Sequence, residues 1–183
     1  MAKTVLIPIT NYNEEIEVIA PVDILRRSGV KVTIASIADT ISVKTSRNVI
    51  LTADCFLSDC LQQDYDLIVL PGGMPGAEYL RDCEPLIALL KKQKAQNRLF
   101  AALCAVPAIT LHPHGLVDNL KITCYPALKD QITKAIYVDE KVVVDKNCIT
   151  SQGPGTALEF ALILVQILLN EKIANKIRAA MLI

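Results

Sequence analysis

The chain has 183 residues, which is enough for one well-cored domain and short for two. Its 19 acidic and 19 basic residues balance, which argues against a nucleic-acid or anionic-membrane surface, since either would need a basic excess. Hydrophobic residues make up 52% of the chain, but no apolar run approaches the ~18 residues of a membrane span, and the first residues do not resemble a signal peptide. We expect a single globular domain over residues 1–183.

Strand and helix patterns alternate along the chain. Predicted strands cover 4–9, 30–35, 67–70, 99–103 and 121–124, with hairpins at 42–51 and at 142–144 paired with 148–150. Predicted helices cover 13–28 with Asn13 as N-cap, 77–96 interrupted at Pro85, a short stretch after Cys104, 156–169 and 172–182. Alternation of this kind predicts an α/β fold, a doubly wound and mostly parallel sheet with helices on both faces.

Three segments follow strands of that sheet: 11–17, 71–73 and 104–105. In such folds ligands bind beyond the carboxyl ends of the strands, where the strand order reverses. We therefore expect these segments to converge.

Cys104 stands where the buried strand 99–103 ends. Because Pro107 suits only the first turn of a helix, the thiol lies at a strand-to-helix corner beside unpaired backbone N–H groups. Such a corner favours thiolate over thiol, and the thiolate is the reactive form. The alternative is a small buried hydrophobe, as most free cysteines are.

Glu17 lies in the first turns of the first predicted helix, at the margin of its apolar face. A partly desolvated carboxyl there would have a raised pKa and could exchange a proton with a nearby thiolate. The alternative is an acid that only complements the helix dipole, as Glu14 and Glu15 do, and the local pattern by itself favours it.

Backbone and cationic groups complete the set of candidates. The two glycines of Pro71-Gly72-Gly73 could present N–H groups that, with that of Ala105, stabilise an oxyanion, although strand-to-helix turns often need glycine for other reasons. Arg26 and Arg27 on the first helix, or Arg47, could bind an anion bidentately, although most surface arginines do not.

The remaining cysteines and histidines give weaker signals. His112 and His114 lie in a predicted loop and are expected to be solvated. No metal or nucleotide cofactor is expected, since the chain has no P-loop, no G-x-G-x-x-G and only two histidines. Scattered cysteines without C-x-x-C spacing suit a reducing cytoplasm. Five thiols lack an activating context and are interpreted as packing residues: Cys55, Cys60, Cys83, Cys124 and Cys148.

Taken in order, these segments resemble the ThiJ/PfpI superfamily, and within it the branch of parkinsonism-associated deglycases. The resemblance covers essentially the whole chain. The motifs that carry it are Glu14-Glu15-Ile16-Glu17, Pro21-Val22-Asp23, Arg26-Arg27, Thr45-Ser46-Arg47, Val69-Leu70-Pro71-Gly72-Gly73, Ala101-Ala102-Leu103-Cys104-Ala105, Pro126-Ala127-Leu128-Lys129-Asp130 and Thr150-Ser151-Gln152-Gly153-Pro154-Gly155-Thr156.

The resemblance implies a flavodoxin-like fold, a homodimer and no cofactor. It implies that Cys104 is a nucleophilic, redox-sensitive cysteine and that Glu17 is its protonated carboxyl partner. By the same resemblance Gly73 and Ala105 would supply oxyanion N–H groups. Arg47, together with Arg27 from across the dimer, would lie near an anion pocket.

One position departs from the pattern. Several members of this superfamily carry a histidine before the Pro-x-x-Lys-Asp segment, where this chain has Tyr125. A peptidase-like Cys-His pair is therefore not expected.

Two functional hypotheses follow. The first is a stress-response glyoxalase or deglycase that acts on a small reactive aldehyde, methylglyoxal, or on its early adducts. The second is a redox sensor or chaperone-like protein whose Cys104 meets an oxidant and becomes a sulfinate, with little or no turnover. Ile16 and Ile19 on the first helix are the candidates for part of a dimer contact.

Overall fold

A seven-stranded sheet forms the centre of the structure, a computed structural model that describes residues 2–183. The strands are β1 Thr4–Ile9, β2 Lys31–Ser36, β3 Ser42–Lys44, β4 Ile50–Thr52, β5 Cys55–Phe56, β6 Leu67–Leu70, β7 Leu99–Leu103, β8 Lys121–Ile122, β9 Ile136–Tyr137, β10 Val142–Asp145 and β11 Cys148–Ser151. The α-helices are α1 Glu15–Arg27, α2 Gly76–Asp82, α3 Glu84–Ala95, α4 Ala157–Leu168 and α5 Glu171–Ala180.

The strand order of the large sheet is β10-β11-β7-β6-β1-β2-β5. Every neighbouring pair is parallel except β10 with β11. From β1 the chain first builds outward through β2 and β5, and then crosses to β6, β7 and β11 on the other side. The order therefore reverses between β1 and β6, which is the place where doubly wound sheets bind ligands.

Two hydrophobic cores lie on the two faces of this sheet. Along β1, Val5 and Ile7 face the core that α1, α4 and α5 cover, whereas Leu6 faces the core that α2 and α3 cover. Successive side chains of a strand point to opposite faces, so a strand buried on both faces is apolar throughout. The predicted mostly parallel sheet flanked by helices is confirmed.

Local details differ from the predicted elements. The long second helix is two helices, and the break lies at Cys83 rather than at Pro85, because Pro85 occupies the first turn of α3, where a missing N–H is harmless. The predicted strand 121–124 is shortened to β8, while both predicted hairpins form.

Two side-chain predictions are wrong. The N-cap of α1 is Glu14 and not Asn13, since the Glu14 carboxylate accepts the N–H of Glu17 while Asn13 is fully buried with partners on other segments. His112 is buried rather than solvated, because Thr133 packs over it and hydrogen-bonds its Nε2 at 3.2 Å.

No helix within residues 2–183 combines the length and the apolar character needed to cross a membrane.

Candidate active site

Cys104 occupies a strained corner directly after β7. Its φ of 58° lies in the left-handed region, which non-glycine residues adopt rarely and only when neighbours hold them there. Two backbone hydrogen bonds supply that constraint: the Cys104 N–H donates to the Ser151 carbonyl at 2.9 Å, and the Cys104 carbonyl accepts the Tyr125 N–H at 2.7 Å. The backbone of Cys104 is thereby held in this conformation, and the residue remains partly exposed.

Two backbone N–H groups point at the sulfur of Cys104. They belong to Gly73, in the loop after β6, and to Ala105. Two N–H donors that converge on a nucleophile also converge on an oxygen anion formed next to it. The structure thus brings these two predicted donors together beside Cys104.

Asn13 holds the loop that carries Gly73. Its fully buried amide donates to the carbonyls of Pro71 at 3.1 Å and Gly72 at 2.9 Å, and its Oδ1 accepts the Thr10 N–H at 2.7 Å. The buried amide thus ties the ends of β1 and β6 together. This role is not visible in the sequence, because the two carbonyls to which the amide donates lie almost sixty positions away in the chain.

Glu17 is fully buried beside Cys104. Its Oε2 accepts the Gly72 N–H at 2.7 Å, and its Oε1 has no hydrogen-bond partner in the part of the chain that the structure describes. Burial raises the pKa of this carboxyl to about 7, the negative charge of Glu14 adds to the increase, and the hydrogen bond from Gly72 opposes it. Near neutral pH the carboxyl is therefore about half protonated.

Gly72 leaves the space in which these groups meet. A Cβ at this position would lie 2.7 Å from both Cys104 Cβ and Glu17 Oε2, and 3.0 Å from the Leu103 carbonyl oxygen. Any side chain would separate the thiol from the carboxyl. Glycine is needed here for close approach and not for an unusual backbone angle.

The predicted lowering of the thiol pKa is wrong. Burial raises the pKa of Cys104 to about 12, and the negative charge of Glu17 raises it further, against the N–H groups of Gly73 and Ala105. The helix expected to stabilise a thiolate is only the five-residue turn Pro107–Leu111, so its dipole is small. Glu17 raises the pKa of Cys104 only while its carboxyl is ionised. One proton shared by the pair therefore stabilises both groups, because the site then carries one negative charge and not two.

Comparisons with known proteins place the chain in a family. Residues 3–167 match the model of the DJ-1/PfpI family. The chain belongs to the DJ-1/PfpI family. Protein DJ-1 homolog B of Arabidopsis thaliana is 43% identical over 162 residues, which are 88% of this chain but 37% of that protein, so this chain spans well under half of its length.

A second relative and a solved structure match over most of their own length. The glutathione-independent glyoxalase DJR-1.2 of Caenorhabditis elegans is 40% identical over 157 residues, 85% of this chain and 82% of that protein. The structure of oxidized Toxoplasma gondii DJ-1 has a TM-score of 0.97 and 44% sequence identity, and the match covers 99% of this chain and 98% of that one.

Neither candidate arginine hydrogen-bonds Cys104 or Glu17 within residues 2–183 of this DJ-1/PfpI chain. Arg27 pairs with Asp23 at 2.8 Å near the end of α1, about 15 Å along the helix from Glu17. Arg47 is exposed, and its guanidinium donates to the Ser46 carbonyl at 3.3 Å. An anion-binding role for either residue, in one chain or across a dimer, stays a prediction.

The backbone of Tyr125 lies at the site, but its side chain does not provide a general base there. Its side chain is 47% exposed, and its ring lies near Gly153. The two histidines hydrogen-bond elsewhere, His112 to Thr133 and His114 to the Arg81 carbonyl. Residues 2–183 therefore show no Cys-His pair at Cys104, and they contain no cluster of three or more His, Cys, Asp or Glu side chains placed to hold a metal ion.

We expect Gly72→Ala to destabilise the protein by about 1–3 kcal/mol, because the added methyl overpacks the contact between Cys104 and Glu17. Urea unfolding measures the change. Gly155→Ala is the matched control, since a Cβ there meets no atom within 4 Å. Equal stability of the two variants would contradict the assigned role of Gly72.

Glu17 should make stability depend on pH. Its pKa rises from 4.5 in the unfolded chain to about 7 in the fold, so between these values only the folded protein keeps the proton, and stability falls as pH rises. The unfolding free energy of the parent relative to Glu17→Gln should drop by about 3 kcal/mol from below pH 4.5 to above pH 7. Denaturant titrations across this range provide the measurement, and parallel pH curves for the two proteins would refute the raised pKa.

Proposed function

We propose that this protein is a cysteine-dependent, cofactor-independent glyoxalase or deglycase of the stress response, acting on methylglyoxal or its early adducts. The observation that carries the proposal is the fully buried Glu17 carboxyl, with one unpartnered oxygen and a pKa near neutrality, next to a partly exposed thiol. The name of the C. elegans relative, a glutathione-independent glyoxalase, supports the same chemistry.

The reaction begins with addition of the Cys104 sulfur to the aldehyde carbon. Ionised Glu17 accepts the thiol proton, which the raised pKa of Cys104 makes necessary near neutral pH. The carbonyl oxygen becomes an oxyanion within reach of the N–H groups of Gly73 and Ala105, and the product of this step is a hemithioacetal.

Glu17 then moves protons between the two adjacent carbons. It returns the first proton to the oxyanion and takes the proton from the former aldehyde carbon, which leaves an enediolate with its charge on the neighbouring oxygen. Glu17 then delivers the carbon-bound proton to the neighbouring carbon while the hydroxyl proton passes from the first oxygen to the second, and the product is a thioester of lactate on Cys104. Water hydrolyses the thioester to lactate and free thiol. A carboxyl with a pKa of about 7 suits both directions of transfer, because neither protonation state dominates at the working pH.

A redox sensor is the second candidate. A protonated Glu17 can donate a hydrogen bond to a sulfinate on Cys104, and the related Toxoplasma protein has a structure in oxidized form. The name of the C. elegans relative and the place of Glu17 as a proton carrier beside Cys104 rank this role below turnover. A peptidase is disfavoured, since no histidine hydrogen-bonds near Cys104 in residues 2–183.

Six free cysteines fit a cytoplasmic location.

The test of turnover uses reduced protein, excess methylglyoxal and an assay for lactate. We expect many lactates per chain from the parent, none from Cys104→Ser, and a loss of at least about 100-fold for Glu17→Leu, which removes the proton carrier. Cys83→Ser is the matched control, since Cys83 is also partly exposed but lies outside the site.

An active Glu17→Leu protein would exclude the proposed proton transfer. If the parent forms one stable adduct per Cys104 and releases no lactate, the redox role replaces turnover.

We further propose that the protein is a homodimer joined through α1. Ile16 and Ile19 are 50% and 45% exposed, and they line an apolar groove with Val49 and Leu158. An exposed apolar patch on the first helix suits a second copy of the chain. The functional residues Cys104 and Glu17 lie within one chain, so this proposal is separate from the catalytic one.

Ile19→Glu should convert the dimer to a monomer, because a carboxylate would be desolvated in the contact. Sedimentation velocity reports the mass, and Ile136→Glu, at an exposed isoleucine on β9, is the control that should leave the dimer intact. A dimer in both variants would place the interface elsewhere.

A further inference from the structure

A second thiol centre lies at the edge of the large sheet, away from Cys104. Cys55 begins β5, which pairs with β2 as the last strand of the sheet, and Cys60 ends the 3₁₀ helix Leu57–Cys60 that follows. The two sulfurs are 3.3 Å apart, within hydrogen-bonding contact. A tight turn thus brings together two cysteines that are five positions apart in the sequence.

The turn that joins these cysteines is held by its own hydrogen bonds. The Asp59 carboxylate accepts the Phe56 N–H at 3.1 Å, and the Cys60 thiol lies 3.7 Å from the Phe56 carbonyl oxygen. Cys60 is buried, whereas Cys55 is partly exposed. One sulfur can therefore meet a dissolved reagent while the other is held behind it.

The available ligands favour a sulfur–sulfur bond over a metal. Closed structural zinc sites take four ligands from Cys, His, Asp or Glu. No group of even three such side chains is placed to hold an ion anywhere in residues 2–183. The two thiols touch each other and have no further ligand beside them, so they are arranged to be oxidised together to a disulfide.

We propose that Cys55 and Cys60 form a reversible intramolecular disulfide when the protein meets hydrogen peroxide. The Cys55 sulfur attacks a peroxide oxygen, the O–O bond breaks, and the products are a sulfenic acid on Cys55 and one water. The Cys60 sulfur then attacks the sulfenic sulfur, the S–O bond breaks, and a second water leaves with the Cys60 proton. Two thiols lose two electrons in total, and one peroxide gains them.

Contact between the sulfurs determines how far oxidation proceeds. Because Cys60 already touches Cys55, the second step is intramolecular and is faster than the reaction of the Cys55 sulfenic acid with another peroxide. Cys104 has no sulfur partner among the hydrogen bonds of residues 2–183, so a sulfenic acid formed there would have no second thiol in contact with it. The two sites thus differ in whether a resolving thiol already touches the first one.

The reactivity of the pair should rise with pH. Burial raises the pKa of the Cys55 thiol to about 12, and the neighbouring Cys60 and the carboxylates of Asp59 and Asp54 add to the increase. Two further groups face this cluster: the Tyr65 phenol, whose own pKa burial raises, and the Arg26 guanidinium, which pairs with Asp54 at 3.0 Å. Since the thiolate attacks peroxide, the first step is slow at neutral pH and faster in alkaline buffer. This property distinguishes the pair from a thiol activated by a nearby cation.

The experiment uses the full chain carrying Cys104→Ser, which removes the proposed active-site thiol and makes the result independent of the proposed function. The reduced protein is treated with hydrogen peroxide in mildly alkaline buffer, remaining thiols are alkylated, and peptides are identified by mass. We expect a peptide joining Cys55 to Cys60 that has lost two hydrogens and is restored by dithiothreitol.

Two further variants sharpen the result. Cys55→Ser in the same background should abolish the linked peptide, and circular dichroism checks that this variant is folded. Cys83→Ser, at another partly exposed thiol, should leave the yield unchanged. A sulfinate at Cys55, a disulfide to any other cysteine, or two thiols that remain alkylatable after prolonged treatment would each overturn the proposal.

Discussion

The hydrogen bond from the Gly72 N–H to Glu17 Oε2 is the contact on which the site depends. It joins the first turn of α1 to the loop after β6, across the point where the strand order reverses. The buried amide of Asn13 clamps that loop, and the absence of a side chain at Gly72 admits Cys104. Without this bond the buried Glu17 carboxyl would lack the hydrogen bond that offsets the cost of its burial. The loop would also lose a contact that positions the Gly73 N–H beside the sulfur.

The electrostatics of the site follow from two acids sharing one desolvated space. Both Glu17 and Cys104 resist ionisation because burial penalises the charged form of each, and a charge on one raises the pKa of the other. The pair therefore titrates as a unit with one proton held between two atoms. Proton transfer during aldehyde turnover and hydrogen bonding to an oxidized sulfur use the same shared proton, which explains how one geometry serves both candidate roles.

The predictability of this structure depends on how local the responsible contacts are. The strand Thr4–Ile9 could be predicted, because burial on two faces requires a local run of apolar residues. The corner at Cys104 could be predicted because Pro107, three residues later, fixes where the next helical turn begins. The role of Asn13 could not, since its partners belong to a distant loop. The pKa of Cys104 was predicted in the wrong direction for a related reason: adjacent N–H groups are visible in sequence, whereas the packing that desolvates the thiol is not.

The pairing of Cys55 with Cys60 shows the same limit in a short segment. A separation of five residues matches neither the period of an α-helix nor that of a strand, so the sequence alone favours two unrelated packing thiols. The pairing arises because β5 stops after two residues and the following 3₁₀ turn, held by Asp59, folds Cys60 back toward the strand. Since β5 is separated from β1 by β2, the thiol pair lies two strands away from the strand that leads to the Gly72–Glu17 contact. The fold thus isolates reversible sulfur chemistry at the rim of the sheet from the buried carboxyl–thiol pair at its switch point.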